Sequence, residues 1–343
     1  MKNSTYKYMI THDGAKIRTG FWPSVLEQQK ESFRNVILLQ GRASFIEKFH
    51  EIIQGLTERG YNVWTFDWRG QGLSSRFLDN HHKGHVDSYD TYLNDLHQFM
   101  TEIVRPTADQ IYIALAQSMG GHITLRYLQD FGSAFSGAML ISPMINIHTG
   151  VYPKPVAKAM AYLSTLVGLD RHYVIGHGDY NPILEQFEGN YLTGNPERYQ
   201  IHLELQNNNL PLVIGGITYG WLQATFQSID ISLKLEKLRN IQIPVFIIES
   251  EDDQIVDNSI LPYVVQHIKQ GIIKTYPHTR HQIFMESDEI LNVFWHDLEA
   301  FSEHLMLLNT SLPPMKPLEK PQLQPENTTL NPAFIHPIKS LIS

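Results

Sequence analysis

The segment from Ile111 to Leu125 constrains the fold more than any other. The strand formers Ile111-Tyr112-Ile113-Ala114-Leu115 run into Ala116-Gln117-Ser118-Met119-Gly120-Gly121 and then into helix-forming sequence. The pattern is a strand, a one-residue elbow and a helix, with a hydroxyl at the apex. A chain reverses so sharply only where the residues two before and two after the apex have almost no side chain. Ala116 and Gly120 meet that demand. The helix that follows aims its free N–H groups and the positive end of its dipole at the space beside Ser118, so the turn and the stabilisation of an anion ask for the same residues.

Around this elbow the chain alternates. Tyr6 to Ile10 and Ala15 to Phe21 flank the turn pair Asp13-Gly14, which predicts an opening β-hairpin. Strands are expected at Asn35 to Gln40, Val63 to Asp67, Ile111 to Leu115, Ala138 to Ile141, Pro244 to Ile248 and Ile272 to Tyr276. Between and after them, apolar residues at helical spacing predict helices, among them Tyr89 to Val104, Leu261 to His267 and Asp288 to about Leu307. Such alternation implies an α/β fold with a mostly parallel, doubly wound sheet. The rhythm breaks between Pro143 and Leu235, so an inserted helical cap is expected. The resulting division is a first core part over 1–143, the cap over 144–235, a second core part over 236–308 and a tail over 309–343. That tail holds seven of the eighteen prolines and little periodicity, which predicts disorder.

Composition narrows the function classes. A formal charge of −8 argues against nucleic acid as a partner, since phosphate backbones want clustered Lys and Arg. Without cysteine the chain can form neither disulfides nor thiolate sites. The opening residues lack a secretory signal, and no apolar run reaches the roughly 18 residues of a spanning helix. The expected location is cytoplasmic, with peripheral contact to the inner face of a membrane left open.

A serine nucleophile needs a base, and the base needs an acid to hold its tautomer. After the Pro244 to Ile248 strand comes an acidic loop offering Glu251, Asp252, Asp253 and Asp257; after the Ile272 to Tyr276 strand come His278 and His281. Both loops lie at the strand ends where open α/β sheets bind ligands. The order serine, acid, histidine is that of the α/β-hydrolase arrangement.

Gly41-Arg42-Ala43-Ser44, Asp67-Trp68-Arg69-Gly70-Gln71-Gly72-Leu73-Ser74 and Ala116-Gln117-Ser118-Met119-Gly120-Gly121-His122 resemble the bacterial lysophospholipase and monoacylglycerol lipase group of α/β-hydrolase fold serine hydrolases. Gly215-Gly216-Ile217-Thr218-Tyr219-Gly220-Trp221 is similar to its lysophospholipase branch. The resemblance spans roughly residues 35 to 290. It implies Ser118 as nucleophile, Asp253 rather than its acidic neighbours as the acid, and His281 rather than His278 as the base. It also implies an oxyanion hole of the Arg42 and Met119 N–H groups. Here the chain departs from many relatives, with Gln40-Gly41-Arg42-Ala43 where they carry His-Gly-x-Gly. The implied activity is release of a fatty acid from a lysophospholipid through an acyl-enzyme, with monoacylglycerol or a simple carboxylester as alternative substrates. No cofactor or metal is expected. A lipid ester is the expected partner, and a non-catalytic lipid or protein binder on the same fold is the rival class.

Other features take plainer readings. The glycine-rich Asp67 to Ser74 stretch lacks the Gly-Lys-Ser/Thr ending of a phosphate loop, so Gly70 and Gly72 are expected to permit a tight structural loop. His81, His82 and His85 lack a further ligand at metal-site spacing, and His85 is expected to order a surface loop. Val156, Ala159, Met160, Leu163, Leu166 and Val167 form one helical stripe, either packed on the cap's own core or facing an acyl channel or bilayer. Tyr219, Trp221 and Glu204 are candidate contacts for a phosphocholine headgroup.

Overall fold

The computed structural model describes residues 4–26, 34–132 and 134–309. The chain enters through an antiparallel hairpin, β1 (Thr5–Ile10) and β2 (Lys16–Trp22), with Gly14 at φ +86° in its turn. Then come β3 (Arg34–Leu39), α1 (His50–Glu58), β4 (Asn62–Phe66), α2 (Tyr89–Gln98), β5 (Ile111–Gln117), α3 (Met119–Asp130) and β6 (Gly137–Ile141). After a long helical stretch with α4 (Lys154–Leu166), α5 (Pro196–Asn207), α6 (Tyr219–Ser232) and α7 (Leu235–Arg239), the chain closes with β7 (Val245–Ser250), α8 (Leu261–His267), β8 (Gly271–Tyr276) and α9 (Asp288–Asn309).

The eight strands form one sheet in the order β1-β2-β4-β3-β5-β6-β7-β8, parallel from β4 through β8. This is the expected doubly wound sheet. Its strands read as continuous apolar runs because both faces are covered. Ile37, Ala114, Leu140 and Ile247 point into the cluster shared with α2, α3 and α8. Val36, Ile113, Met139 and Phe246 point into the cluster shared with α1 and α9. The strand order reverses between β3 and β5, so the loops after these two strands flank the crevice where such sheets bind ligands.

Two elements differ from the expected ones. The helix from Tyr89 widens after Gln98 into a π-helical turn over Phe99–Val104, ended by Arg105 at φ +53°. The wider turn lets the consecutive Phe99 and Met100 both face the core, where both are fully buried. In α4 the buried positions are Ala157 and Ala161, while Val156, Leu163, Leu166 and Val167 of the expected stripe stand exposed. Small residues four apart let α4 lie close on Leu222 and Phe226 of α6, and that contact sets the helix rotation. α6 falls within the range expected for the cap, yet it also packs on α2, α3 and α7, and its Trp221 and Ala224 join the cluster under the sheet. The expected disordered tail lies outside the described residues beyond Asn309.

Candidate active site

Ser118 stands between β5 and α3 with φ +52° and ψ −117°, a conformation a side-chain-bearing residue adopts only under constraint. The constraint is visible. Its N–H donates to Ile141 O (2.9 Å), and its carbonyl accepts from His122 N (3.1 Å) and Met144 N (3.0 Å). A Cβ on Gly120 would lie 2.4 Å from Leu39 O and 2.5 Å from Gln40 O, and one on Gly121 2.9 Å from Pro143 Cβ. Ala116 is fully buried between Leu39 and Leu140 in neighbouring strands.

The Ser118 hydroxyl donates to His281 Nε2 at 2.8 Å, and His281 Nδ1 donates to Asp253 Oδ2 at 2.7 Å. All three side chains are almost closed to solvent. Asp253 is held from behind, because its Oδ1 accepts from Ile255 N (2.8 Å) and Val256 N (3.0 Å). The other acidic candidates serve elsewhere. Asp252 is exposed, Glu251 accepts from His278 N (2.9 Å), and Asp257 caps the short turn at Ser259 and accepts from Asn146 Nδ2 (2.6 Å). His278 is exposed at φ +55°, with its Nδ1 3.7 Å from Glu251 Oε2.

The loop carrying His281 is fastened to the long insert. Gln282 N donates to Leu192 O (2.8 Å), and Arg280 Nη1 donates to Asn190 O and Thr193 O (3.0 Å each). Glu286 gathers the Arg280 N–H (2.9 Å) and the Gly194 N–H (3.1 Å) on one carboxylate. This role of Glu286 in binding the insert is not legible in the sequence.

Met119 opens α3, so its N–H lies in the first turn, where no intrahelical acceptor exists. Arg42 follows Gly41, whose added Cβ would stand 3.1 Å from Ser118 Cβ. Sequence reasoning missed what fixes this loop. Gln71 Oε1 accepts from Ala43 N (2.7 Å) while its Nε2 donates to Gly41 O (3.2 Å), clamping the residues on both sides of Arg42. Trp68 Nε1 adds a bond to Gln40 O (2.8 Å). The Asp67 to Ser74 stretch is thus a scaffold for the loop. Asp67 is fully buried, accepting from Arg18 Nε (2.7 Å), Ile46 N (3.0 Å) and Leu73 N (2.9 Å), and a Cβ on Gly72 would fall 2.1 Å from its carboxyl carbon.

A cavity of about 560 Å³ opens over Ser118 and His281. Its walls are mainly apolar, with Met144, Ile147, Met160, Val174, Trp221 and Leu222 prominent, and no carboxylate among the described residues lines it. Tyr219 and Trp221 are among its walls, whereas Glu204 is exposed on α5 and bonds Gln200 (3.1 Å). His85 is not a surface element. It is 3% exposed and bridges Thr218 Oγ1 (2.8 Å) to Asp87 (2.9 Å), because the Gly84 to Asp87 loop is covered by the insert at the Gly84–Ile217 bridge. His81 and His82 stack on each other at 4.0 Å, apart from it.

The sequence profile of the family described as serine aminopeptidase, S33 (Hydrolase_4), matches residues 30–288. The chain is 28% identical over 285 residues to lysophospholipase L2 of Escherichia coli K12, covering 79% of this chain and 81% of that protein. It is 27% identical over 308 residues to the monoglyceride lipase of Saccharomyces cerevisiae, covering 84% and 90%. A crystal structure of a soluble variant of the yeast monoglyceride lipase with a substrate analog superposes with a TM-score of 0.67 at 23% identity, covering 89% of this chain and 97% of that one. With three quarters of its length inside the family profile and a fold that matches solved α/β-hydrolases, the chain belongs to the serine aminopeptidase S33 family of α/β-hydrolases.

Proposed function

We propose that this protein hydrolyses the carboxylic ester of a single-chain lipid, a lysophospholipid first and a monoacylglycerol second. The observation that carries this reading is the hydrogen-bonded chain Ser118–His281–Asp253 at the floor of an apolar cavity. An aminopeptidase site needs an anionic group to hold the substrate's terminal ammonium; among the described residues no carboxylate lines this cavity, which favours an acyl chain instead. The names of the lysophospholipase L2 and monoglyceride lipase relatives support the same substrate class.

In this mechanism His281 Nε2 takes the Ser118 proton as Oγ attacks the ester carbonyl, and the imidazolium is stabilised by Asp253. The Arg42 and Met119 N–H groups receive the oxyanion. His281 then protonates the departing alcohol oxygen, leaving an acyl group on Ser118. Water, deprotonated by His281, attacks the acyl carbonyl, and the Ser118 oxygen leaves with the proton as the fatty acid is released. An assembled, buried triad favours catalysis over a non-catalytic binder.

The approach to a lipid surface belongs to the same proposal. Val151 (91% exposed) and Ile175 (65%) of the cavity wall, and Leu166 (66%) and Val167 (70%) at the end of α4, present apolar side chains to solvent. No helix among the described residues is long and apolar enough to cross a membrane, so contact would be peripheral.

Two assays test the reading. A fluorophosphonate labels the wild type and fails to label Ser118→Ala. Fatty acid is released from lysophosphatidylcholine or monoacylglycerol faster than from a short ester; preference for the short ester would make the protein a general carboxylesterase.

A further inference from the structure

A second cavity of about 310 Å³ adjoins the first, and the two share a wall made by Arg42, Ala43, His177, Leu192 and Gln282. Its character is different. Lys48, Asp179, Tyr180, Glu185, His202 and Gln206 line it, so it is more polar than the first.

Arg42 stands at the boundary, held in place by the insert. Its Nη2 donates to Gly215 O, the guanidinium lies 5.6 Å from the Trp221 ring centre, and a methyl on Gly84 would come 3.0 Å from Nη2. The Gly215 to Trp221 motif therefore builds the seat of this side chain. Nε is buried without an acceptor, and among the described residues Arg42 forms no ion pair. Lys48 Nζ donates to Ala43 O (2.8 Å) and lies 4.8 Å from the Phe45 ring centre. Burial pulls Arg42 down to about 10 and Lys48 to about 7, the latter opposed by the Glu185 carboxylate, which forms no ion pair with it. Burial also holds His177 and His202 below the usual imidazole range, so at neutral pH the positive charge here is that of Arg42 and of the protonated part of Lys48.

Arg42 and Lys48 are half-buried, and neither forms an ion pair with Glu185 or Asp179, so an arriving anion offsets the cost of their partial burial. A guanidinium with free N–H groups fits a phosphate oxygen pair. In a lysophospholipid the phosphate lies a three-carbon backbone away from the ester carbonyl. Arg42 provides such a contact, since its own backbone adjoins Ser118 while its side chain enters the polar cavity.

We propose, resting on the ester-hydrolase reading above, that the smaller cavity is the headgroup subsite of a lysophospholipid, with Arg42 and Lys48 contacting its phosphate. Glu185, which lines only this cavity, faces the ammonium of a zwitterionic headgroup.

The test compares hydrolysis of lysophosphatidylethanolamine and of a monoacylglycerol with the same acyl chain, by wild type, Arg42→Gln and Lys48→Met, each checked for folding by thermal melting. The ratio of the two kcat/KM values, phospholipid over glyceride, is expected to fall at least tenfold in each variant, about 1.4 kcal/mol. An unchanged ratio in folded variants overturns the headgroup subsite and leaves the ester-hydrolase reading standing. If the wild type releases fatty acid from neither lipid, the ester-hydrolase reading fails and this subsite with it. Should the variants not fold, the wild type decides. Glycerophosphoethanolamine is expected to inhibit hydrolysis of a soluble p-nitrophenyl ester at concentrations at least tenfold lower than glycerol; equal potency refutes the proposal.

Discussion

Replacing Asp253 by asparagine isolates what the acid contributes, because the structure dictates how the amide must sit. Oδ1 accepts two backbone N–H groups, from Ile255 at 2.8 Å and Val256 at 3.0 Å. An amide nitrogen cannot accept them, so the asparagine keeps its oxygen there and turns its NH2 toward His281 Nδ1. Nδ1 must then accept, which places the imidazole proton on Nε2, facing Ser118 Oγ 2.8 Å away. In that tautomer the base cannot receive the serine proton. The expected loss in kcat is about 10⁴-fold, as for a Ser–His–Asp triad with an inverted tautomer, or roughly 5.4 kcal/mol of barrier. KM changes little, because the cavity walls are untouched. Since both backbone bonds survive, the melting temperature should stay within a few degrees of wild type. The assay is steady-state hydrolysis of a soluble ester beside a urea or thermal melt, with Asp252→Asn as a control that keeps wild-type kcat. A loss of less than tenfold in folded Asp253→Asn would refute the proposed role of this carboxylate.

Gln71→Ala releases the clamp on Gly41 and Ala43; kcat is expected to fall by about 10²-fold, comparable to loss of one oxyanion donor, with KM for the soluble ester little altered. Gly120→Ala drives a methyl against two main-chain carbonyls at 2.4 and 2.5 Å, and denaturant titration should show a loss above about 3 kcal/mol or no folded protein. Leu163→Ser with Leu166→Ser removes exposed apolar surface from α4. Stability should stay within about 0.5 kcal/mol per site, hydrolysis of a soluble ester should not change, and hydrolysis of vesicle-bound substrate should fall more than about tenfold. Equal vesicle activity would show that α4 does not meet the lipid surface.

Much of this architecture is legible in the sequence because it is written in local patterns. Alternating apolar runs locate the strands, and the small residues around Ser118 locate the elbow before any coordinates are known. The histidine and acid follow from chain order and resemblance, and the structure brings both to Ser118. What stays hidden is carried by pairs distant in the chain. Gln71 reaches Gly41, and Arg42 reaches Gly215 across 173 positions, with no periodicity to announce either contact. The rotation of α4 was likewise hidden, since hydrophobicity favours the large residues while close packing on α6 selects Ala157 and Ala161. His85 looked peripheral only because the covering strand-like bridge at Ile217 comes from far downstream.

The bonds from Gln282 to Leu192 and from Arg280 to Asn190 and Thr193 tie the loop of the proposed base, His281, to a segment that folds outside the sheet. A nascent chain whose insert has not yet docked lacks these anchors and so has no correctly held imidazole. On the proposed mechanism, ester cleavage therefore waits for the insert to dock. On that mechanism, moving the insert as a whole would also free the loop that carries the imidazole.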